Sequence, residues 1–249
     1  MLRSLVGSEM CIRDRCSLGR NQEAERMSTK WGSFPKAAVD SGKLASLTGA
    51  NGEVGTHIAS HKVYLALALE VNFHTRQVEM GMSFLQDRTA LARPMLGRAL
   101  AALEQAGVLQ VERDGYRNRY TQLLHAPNAF RQVPRIATSQ ALKLKFNRGV
   151  TVLAAWKLLP VLLFLRDGKT GDALAMHETL QRYSRVRPEH VSAGISQLVE
   201  WGLVRHRPTE SNRNGHPSFV YRLTGEFGGG APESSSSNTP VLKPNTVPF

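Results

Sequence analysis

Apolar positions recur twice along this chain in the same order. Setting Gly107 on Gly202, 95 residues on, places Leu85, Leu91, Leu96, Leu100, Leu103, Val108 and Leu109 on Leu180, Val186, Val191, Ile195, Leu198, Leu203 and Val204. In each copy the apolar residues fall first at helical spacing and then in strand-like runs, which predicts helices followed by a hairpin. In the first copy Val63, Leu65, Ala66, Leu67 and Leu69 predict a helix opening at about His61, Arg76 to Met80 a short strand, and Ser83 the cap of a short helix. A turn from Thr89 to Ala92 leads into a helix beginning near Pro94, whose missing N–H is harmless at the first helical position. Leu96, Leu100 and Leu103 form its buried stripe and Gly107 ends it. Leu109 to Arg113 and Tyr120 to Leu124 then predict two strands about an Asp114-Gly115 turn.

The second copy predicts a helix over Val150 to Leu165, a turn at Gly168 to Gly171, a strand at Ala173 to Met176 and a helix at Glu178 to Tyr183. A longer helix, Pro188 to Trp201, stops at Gly202, and strands at Val204 to Arg207 and Phe219 to Leu223 flank a polar loop. Helix, tight turn, longer helix and arginine-rich hairpin is the layout of a winged helix-turn-helix. The expected fold is therefore mainly α with small β-hairpins, as two tandem winged helix-turn-helix domains at 59–125 and 149–224. Residues 27–58 and 225–249, rich in Gly, Ser, Thr, Ala and Pro, read as a flexible N-terminal segment and a disordered C-terminal tail. Residues 126–148 carry Arg131, Arg135, Lys143, Lys145 and Arg148 with almost no acid, and read as a basic linker able to track a phosphate backbone.

Length and charge agree with that division. The 249 residues, 41% of them hydrophobic, suffice for two small cores. Thirty-two Lys and Arg against twenty Asp and Glu leave a net charge of +12, which suits nucleic acid or an anionic surface. The longest apolar run, Val150 to Leu165, is interrupted by Lys157 and Pro160 and is short for a bilayer, so no membrane partner is expected. Leu5 to Arg15, LVGSEMCIRDR, resembles a translated sequencing-library adapter, so residues 1–26 are expected to be a non-native leader and Met27 the start. Both cysteines, Cys11 and Cys16, lie there; from Met27 onward disulfides and thiolate metal sites are excluded, and a cytoplasmic location is expected.

The stretch from Ser60 to Leu123, and above all LARPMLGRALAALEQAGVL, resembles the winged helix-turn-helix domains of phage and plasmid replication proteins and of bacterial helix-turn-helix regulators. Ala92 stands where such families usually have Ser or Thr. The tandem arrangement is similar to plasmid replication initiators. That resemblance implies sequence-specific binding of double-stranded DNA, a homodimer contact through the first domain, recruitment of host replication proteins, and no chemistry or cofactor of the chain's own. A transcriptional regulator would use the same contacts, and a winged-helix protein-interaction scaffold is the alternative of a different class.

In a helix-turn-helix the start of the second helix meets base edges. The candidates there are Arg93, Met95, Gly97 and Arg98 in the first unit and Arg185, Arg187, Glu189, His190, Ser192 and Ser196 in the second. Arginine pairs bidentately with guanine, and the second set offers the wider range of donors and acceptors. Arg113, Arg117 and Arg119 in the first hairpin, and Arg205, Arg207 and Arg213 in the second, suit phosphate oxygens; charge that guards a sheet edge is the competing role. Gly168-Lys169-Thr170 lacks the earlier glycine of a phosphate loop, and His57 with His61 lacks a third ligand. Trp156 and Trp201 lie on apolar stripes and are expected in the core.

Overall fold

A computed structural model describes residues 30–114, 117–124, 129–209 and 219–225. The proposed leader at 1–26, Arg213 and nearly all of the C-terminal tail lie outside the described residues. Strand β1 (Trp31–Pro35) leads into the one-turn helix α1 (Ala37–Asp40) and 3-10 turns at Leu44–Ser46 and Ala50–Gly52. Helix α2 (Val54–Glu70) is buried at every position from His57 to Glu70, so it has no solvent face and forms the middle of the molecule. Then come β2 (Gln77–Met80), α3 (Met82–Thr89), α4 (Arg93–Gln105), β3 (Leu109–Asp114) and β4 (Arg117–Gln122). Strand β5 (Phe130–Pro134) and α5 (Arg135–Leu142) precede the second series: α6 (Val150–Leu165), β6 (Asp172–Ala175), α7 (His177–Ser184), α8 (Pro188–Glu200), β7 (Val204–Pro208) and β8 (Phe219–Leu223). The fold is thus largely helical with three small antiparallel sheets, ordered β1-β5, β2-β4-β3 and β6-β8-β7.

The repeat survives at atomic detail. Elements β2, α3 and α4 return as β6, α7 and α8 with both ends of each 95 residues on. Thr89 and Ser184 each donate a hydroxyl hydrogen bond of 2.6 Å to the carbonyl four residues back, on Leu85 and Leu180. Next, Ala90 and Arg185 take left-handed φ values of 53° and 52°, which end α3 and α7 and re-aim the chain into the following helix. A non-glycine residue there costs ~1–2 kcal/mol, so the turn is held by its surroundings. Tyr120 and Tyr221 occupy the same buried place on the central strands, facing Val111 and His206 respectively.

Residues 31–58 form part of the folded body, contrary to the flexible segment expected there, and 130–142 are strand and helix, contrary to a linker. Trp31–Pro35 pairs antiparallel with Phe130–Pro134. A Cβ on Gly32 would stand 2.5 Å from Leu69 Cα, and Phe34 meets the Tyr64 ring edge-on at 5.6 Å, so this strand lies directly on α2. Each leading helix crosses to the other repeat: α1 packs on α6 and α7, and α5 on α2 and α3. The consequence is one continuous hydrophobic core from Phe34 to Leu223, where two separate cores were expected.

Two local expectations also change. Helix α2 starts at Val54 and not near His61, because His57, Ser60, His61 and Lys62, polar by type, are all buried within it. Ser83 lies inside α3 and makes no cap; Gly81 is the N-cap. Trp156 and Trp201 pack together with ring centres 5.0 Å apart. No described helix is long and apolar enough to cross a membrane.

Candidate nucleic-acid interface

The outward face of α8 is built by the turn before it. Arg185 in its left-handed conformation and Val186, buried, swing the chain so that Arg187 becomes the N-cap with extended backbone (φ −64°, ψ 147°), and Pro188 starts the helix. Val191, Gly194, Ile195 and Leu198 face inward; a Cβ on Gly194 would meet Leu158 Cδ1 at 2.8 Å, which measures how closely α8 lies on α6. The remaining positions are forced out. Arg185, Arg187, Glu189, Ser192 and Ser196 are exposed and His190 is half-buried. Glu189 stands in the first turn, where a carboxylate is favoured by the helix dipole.

The equivalent face of α4 is poorer. Arg93, Gly97 and Arg98 are exposed, but Met95, expected to point outward, is half-buried against the core. Its apolar chain has a hydrophobic bed to lie on, which outweighs exposure. Arg98 borders a recess of about 400 Å³ that also takes in Glu53, Thr56 and His57 at the start of α2.

The hairpins differ in how much of their charge is already spent. Arg119 is bound to Glu79 at 2.7 Å and Glu112 at 3.3 Å, and the Glu79 hydrogen bond raises its pKa above the ordinary value. Arg113 is bound to Glu104 of α4 at 3.0 Å. Of the three first-hairpin arginines, Arg117 alone makes no ion pair with a described residue. In the second sheet Arg222 is bound to Asp172 at 2.7 Å, whereas Arg205 and Arg207 are exposed and make no ion pair with any described residue. The sequence showed the arginines but not this neutralisation, because Glu79 and Glu104 are distant in sequence or on another element.

A groove of about 540 Å³ joins the two repeats. It is lined by Ala90, Ala92 and Met95 from the first turn and α4, by Gln197 and Glu200 from α8, and by Lys145, Phe146 and Arg148. Phe146 is 60% exposed between cations, a residue that reading the segment as linker passed over. The signal was the aromatic inside the run Lys143 to Arg148. Lys143 and Lys145 are also exposed.

Beneath this surface lie ionisable groups that serve the fold. Lys62 Nζ donates to Leu144 O at 2.9 Å and Asn147 Oδ1 at 3.1 Å; Lys157 Nζ donates to Ala45 O at 2.9 Å. Burial lowers both lysines to about 8. Burial, with Lys157 and His57 nearby, lowers His61 to about 3. His57 Nδ1 accepts the Gly49 amide at 2.7 Å, and no cluster of three metal-ligating side chains occurs among the described residues. No protein-family model matches the chain, and no characterised protein matches its sequence.

Proposed function

We propose that this chain is a sequence-specific double-stranded DNA-binding protein built from two tandem winged helix-turn-helix units, acting as an initiator of plasmid or phage replication. The observation that carries the reading is the surface of the second unit. There α8 exposes Arg187, Glu189, Ser192 and Ser196, and the adjoining β7 exposes Arg205 and Arg207, which make no ion pair with any described residue. Guanidinium, carboxylate and hydroxyl groups on a helix face discriminate base edges, and exposed arginines beside them hold phosphates. The first unit has the same layout with most of its hairpin charge neutralised, which supports a secondary share of the contact. The replication role rests on the resemblance of the 60–123 stretch and the tandem arrangement to such initiators; a promoter-bound regulator would use the same surface.

Selection of binders from random duplex DNA tests the DNA reading. Enrichment of one sequence that the chain retains against excess unrelated duplex supports it, and uniform weak binding of all sequences overturns it. Maintenance of an origin-less plasmid carrying DNA from beside the gene, dependent on the protein, tests the replication role.

A further inference from the structure

Between α5 and α6 the chain holds an aromatic ring out in solvent on an anchored loop. Lys62 Nζ binds Leu144 O at 2.9 Å and Asn147 Oδ1 at 3.1 Å, which pins the backbone on either side of Phe146. Phe146 itself is 60% exposed, although Leu144, two positions back, packs against the core. The matching place before α2 is filled differently. Lys157 reaches Ala45 O as Lys62 reaches Leu144 O, so Leu47 corresponds to Phe146, and Leu47 is 5% exposed. The ring thus forgoes the free energy that burial gives its counterpart. Its surroundings are apolar beside it and cationic at the rim. Ala92, the N-cap of α4, and Met95 in its first turn line the same groove as Phe146, with Lys145 and Arg148. Lys143, Lys145 and Arg148 are exposed and make no ion pair with any described residue. Glu200, the acid on the groove wall, accepts a hydrogen bond from Gln197 Nε2 at 2.6 Å.

We infer that Phe146 is a wedge that enters the minor groove of duplex DNA beside the bases met by α4 and unstacks one base step. The inference rests on the DNA-binding reading above and adds a contact that belongs to neither a reading helix nor a hairpin. Apolar side chains flanked by Lys and Arg act on DNA in this way: the ring takes the place of a stacking neighbour, and the duplex kinks by about 20–90° away from it. The cations around Phe146 are suited to both parts of that contact. Lys and Arg are donors only, which matches the acceptors that A·T pairs show in the minor groove, and the phosphates on either side are within the reach of such long side chains. The excess of positive charge at the rim favours a polyanion over an apolar protein segment as the occupant. A loop pinned at Leu144 and Asn147 presents the ring ready placed, so little ordering is left to be done on binding. The wedge also gives the first unit a means of selection that its reading helix lacks, since Ala92 and Met95 offer base edges no hydrogen bond and sequence is then sensed through how readily a step unstacks.

The test uses the full chain and a duplex that the wild-type protein selects from random DNA. The fluorescent base 2-aminopurine is placed at each step in turn, and the bend is read from the end-to-end distance of the bound duplex by energy transfer. The expected result is a rise in fluorescence at a single step, and tighter binding when a mismatch is placed there, because the mismatch removes the cost of unstacking. Phe146→Ala, at a side chain outside the core, should keep the thermal midpoint, lose the fluorescence rise, straighten the DNA and weaken binding about tenfold without changing the salt slope. Phe146→Leu, still an apolar wedge, should keep most of the bend. Wild-type affinity, bend and fluorescence retained by Phe146→Ala overturn the inference and leave the groove to a protein partner. Tighter binding of the single strand than of the duplex, lost in Phe146→Ala, places the ring on an unpaired base and also overturns it. Failure of the wild-type chain to select any sequence instead overturns the DNA-binding reading, a distinguishable result.

Discussion

Lys62 and Lys157 are counterparts 95 residues apart, and each ends 2.9 Å from a backbone carbonyl that belongs to the leading segment of the other repeat. A buried ammonium needs acceptors, and the polypeptide supplies them by crossing over. The two lysines therefore clamp the halves together, and the exchange has measurable consequences.

Both lysines titrate at about 8 in the fold against 10.5 in an open chain. Between those values the unfolded chain binds more protons, so raising the pH favours the fold, by roughly 3 kcal/mol at most per lysine. Urea midpoints should rise from pH 7.5 to 9.5, a window below the ionisation of buried Tyr64 and Tyr221, whose pKa values are raised by burial. The double variant Lys62→Met, Lys157→Met should flatten that rise. An undiminished rise in the variant would show that other groups cause it.

His61 acts at the other end of the scale. It takes up a proton at about 3 in the fold and at 6.5 when unfolded, and His57 is shifted the same way. Stability present above pH 6.5 should be lost as the pH falls towards 3, by up to about 1.4 kcal/mol per unit from His61. His61→Leu should reduce the slope between pH 6 and 4, read by thermal or urea unfolding; equal slopes would refute the assignment.

Gly32 and Gly97 predict opposite outcomes for one substitution. Gly32→Ala puts a Cβ 2.5 Å from Leu69 Cα and 2.6 Å from Ala68 O, both backbone, and should cost about 2–3 kcal/mol. Gly97 lies in the interior of α4 with nothing within 4 Å of such a Cβ, and Gly97→Ala should stabilise by about 1 kcal/mol. Calorimetric midpoints moving the same way for both would contradict the close packing of β1 on α2.

DNA affinity should fall steeply with salt; about six phosphate contacts correspond to a log-log slope of roughly −5. Charge reversal at Arg205 and Arg207 should weaken all sequences alike and flatten the slope. Arg187→Ala should weaken the preferred sequence more than the rest, and Arg98→Ala should do so to a smaller degree. Equal losses on specific and unrelated DNA for both alanine variants would remove these helices from base reading.

Separated repeats should not fold. Residues 149–224 alone lack α1, which packs on α6 and α7, and Ala45, which receives Lys157. Their circular dichroism should show a loss of helix compared with the intact chain, and protease should cut within α6. A cooperative unfolding transition from this fragment would show that the exchange is dispensable.

The sequence alone determined the elements within each repeat, because helix stripes such as Leu96, Leu100 and Leu103 and stops such as Gly107 and Gly202 act over a few residues. The exposure of Glu189, Ser192 and Ser196 on α8 followed from the same periodicity, whereas His190 is half-buried. Tertiary structure decided the rest. Trp31–Pro35 and Phe130–Pro134 carry no strong local signal, and each becomes a strand because a partner lies about a hundred residues away. The hairpin arginines looked alike in sequence, yet Arg119 is neutralised by Glu79 across a strand pair while Arg205 and Arg207 pair with no described acid. Burial of His61, Lys62 and Lys157 likewise depended on acceptors and packing from the other repeat, since a polar residue enters a core only where the fold provides for it.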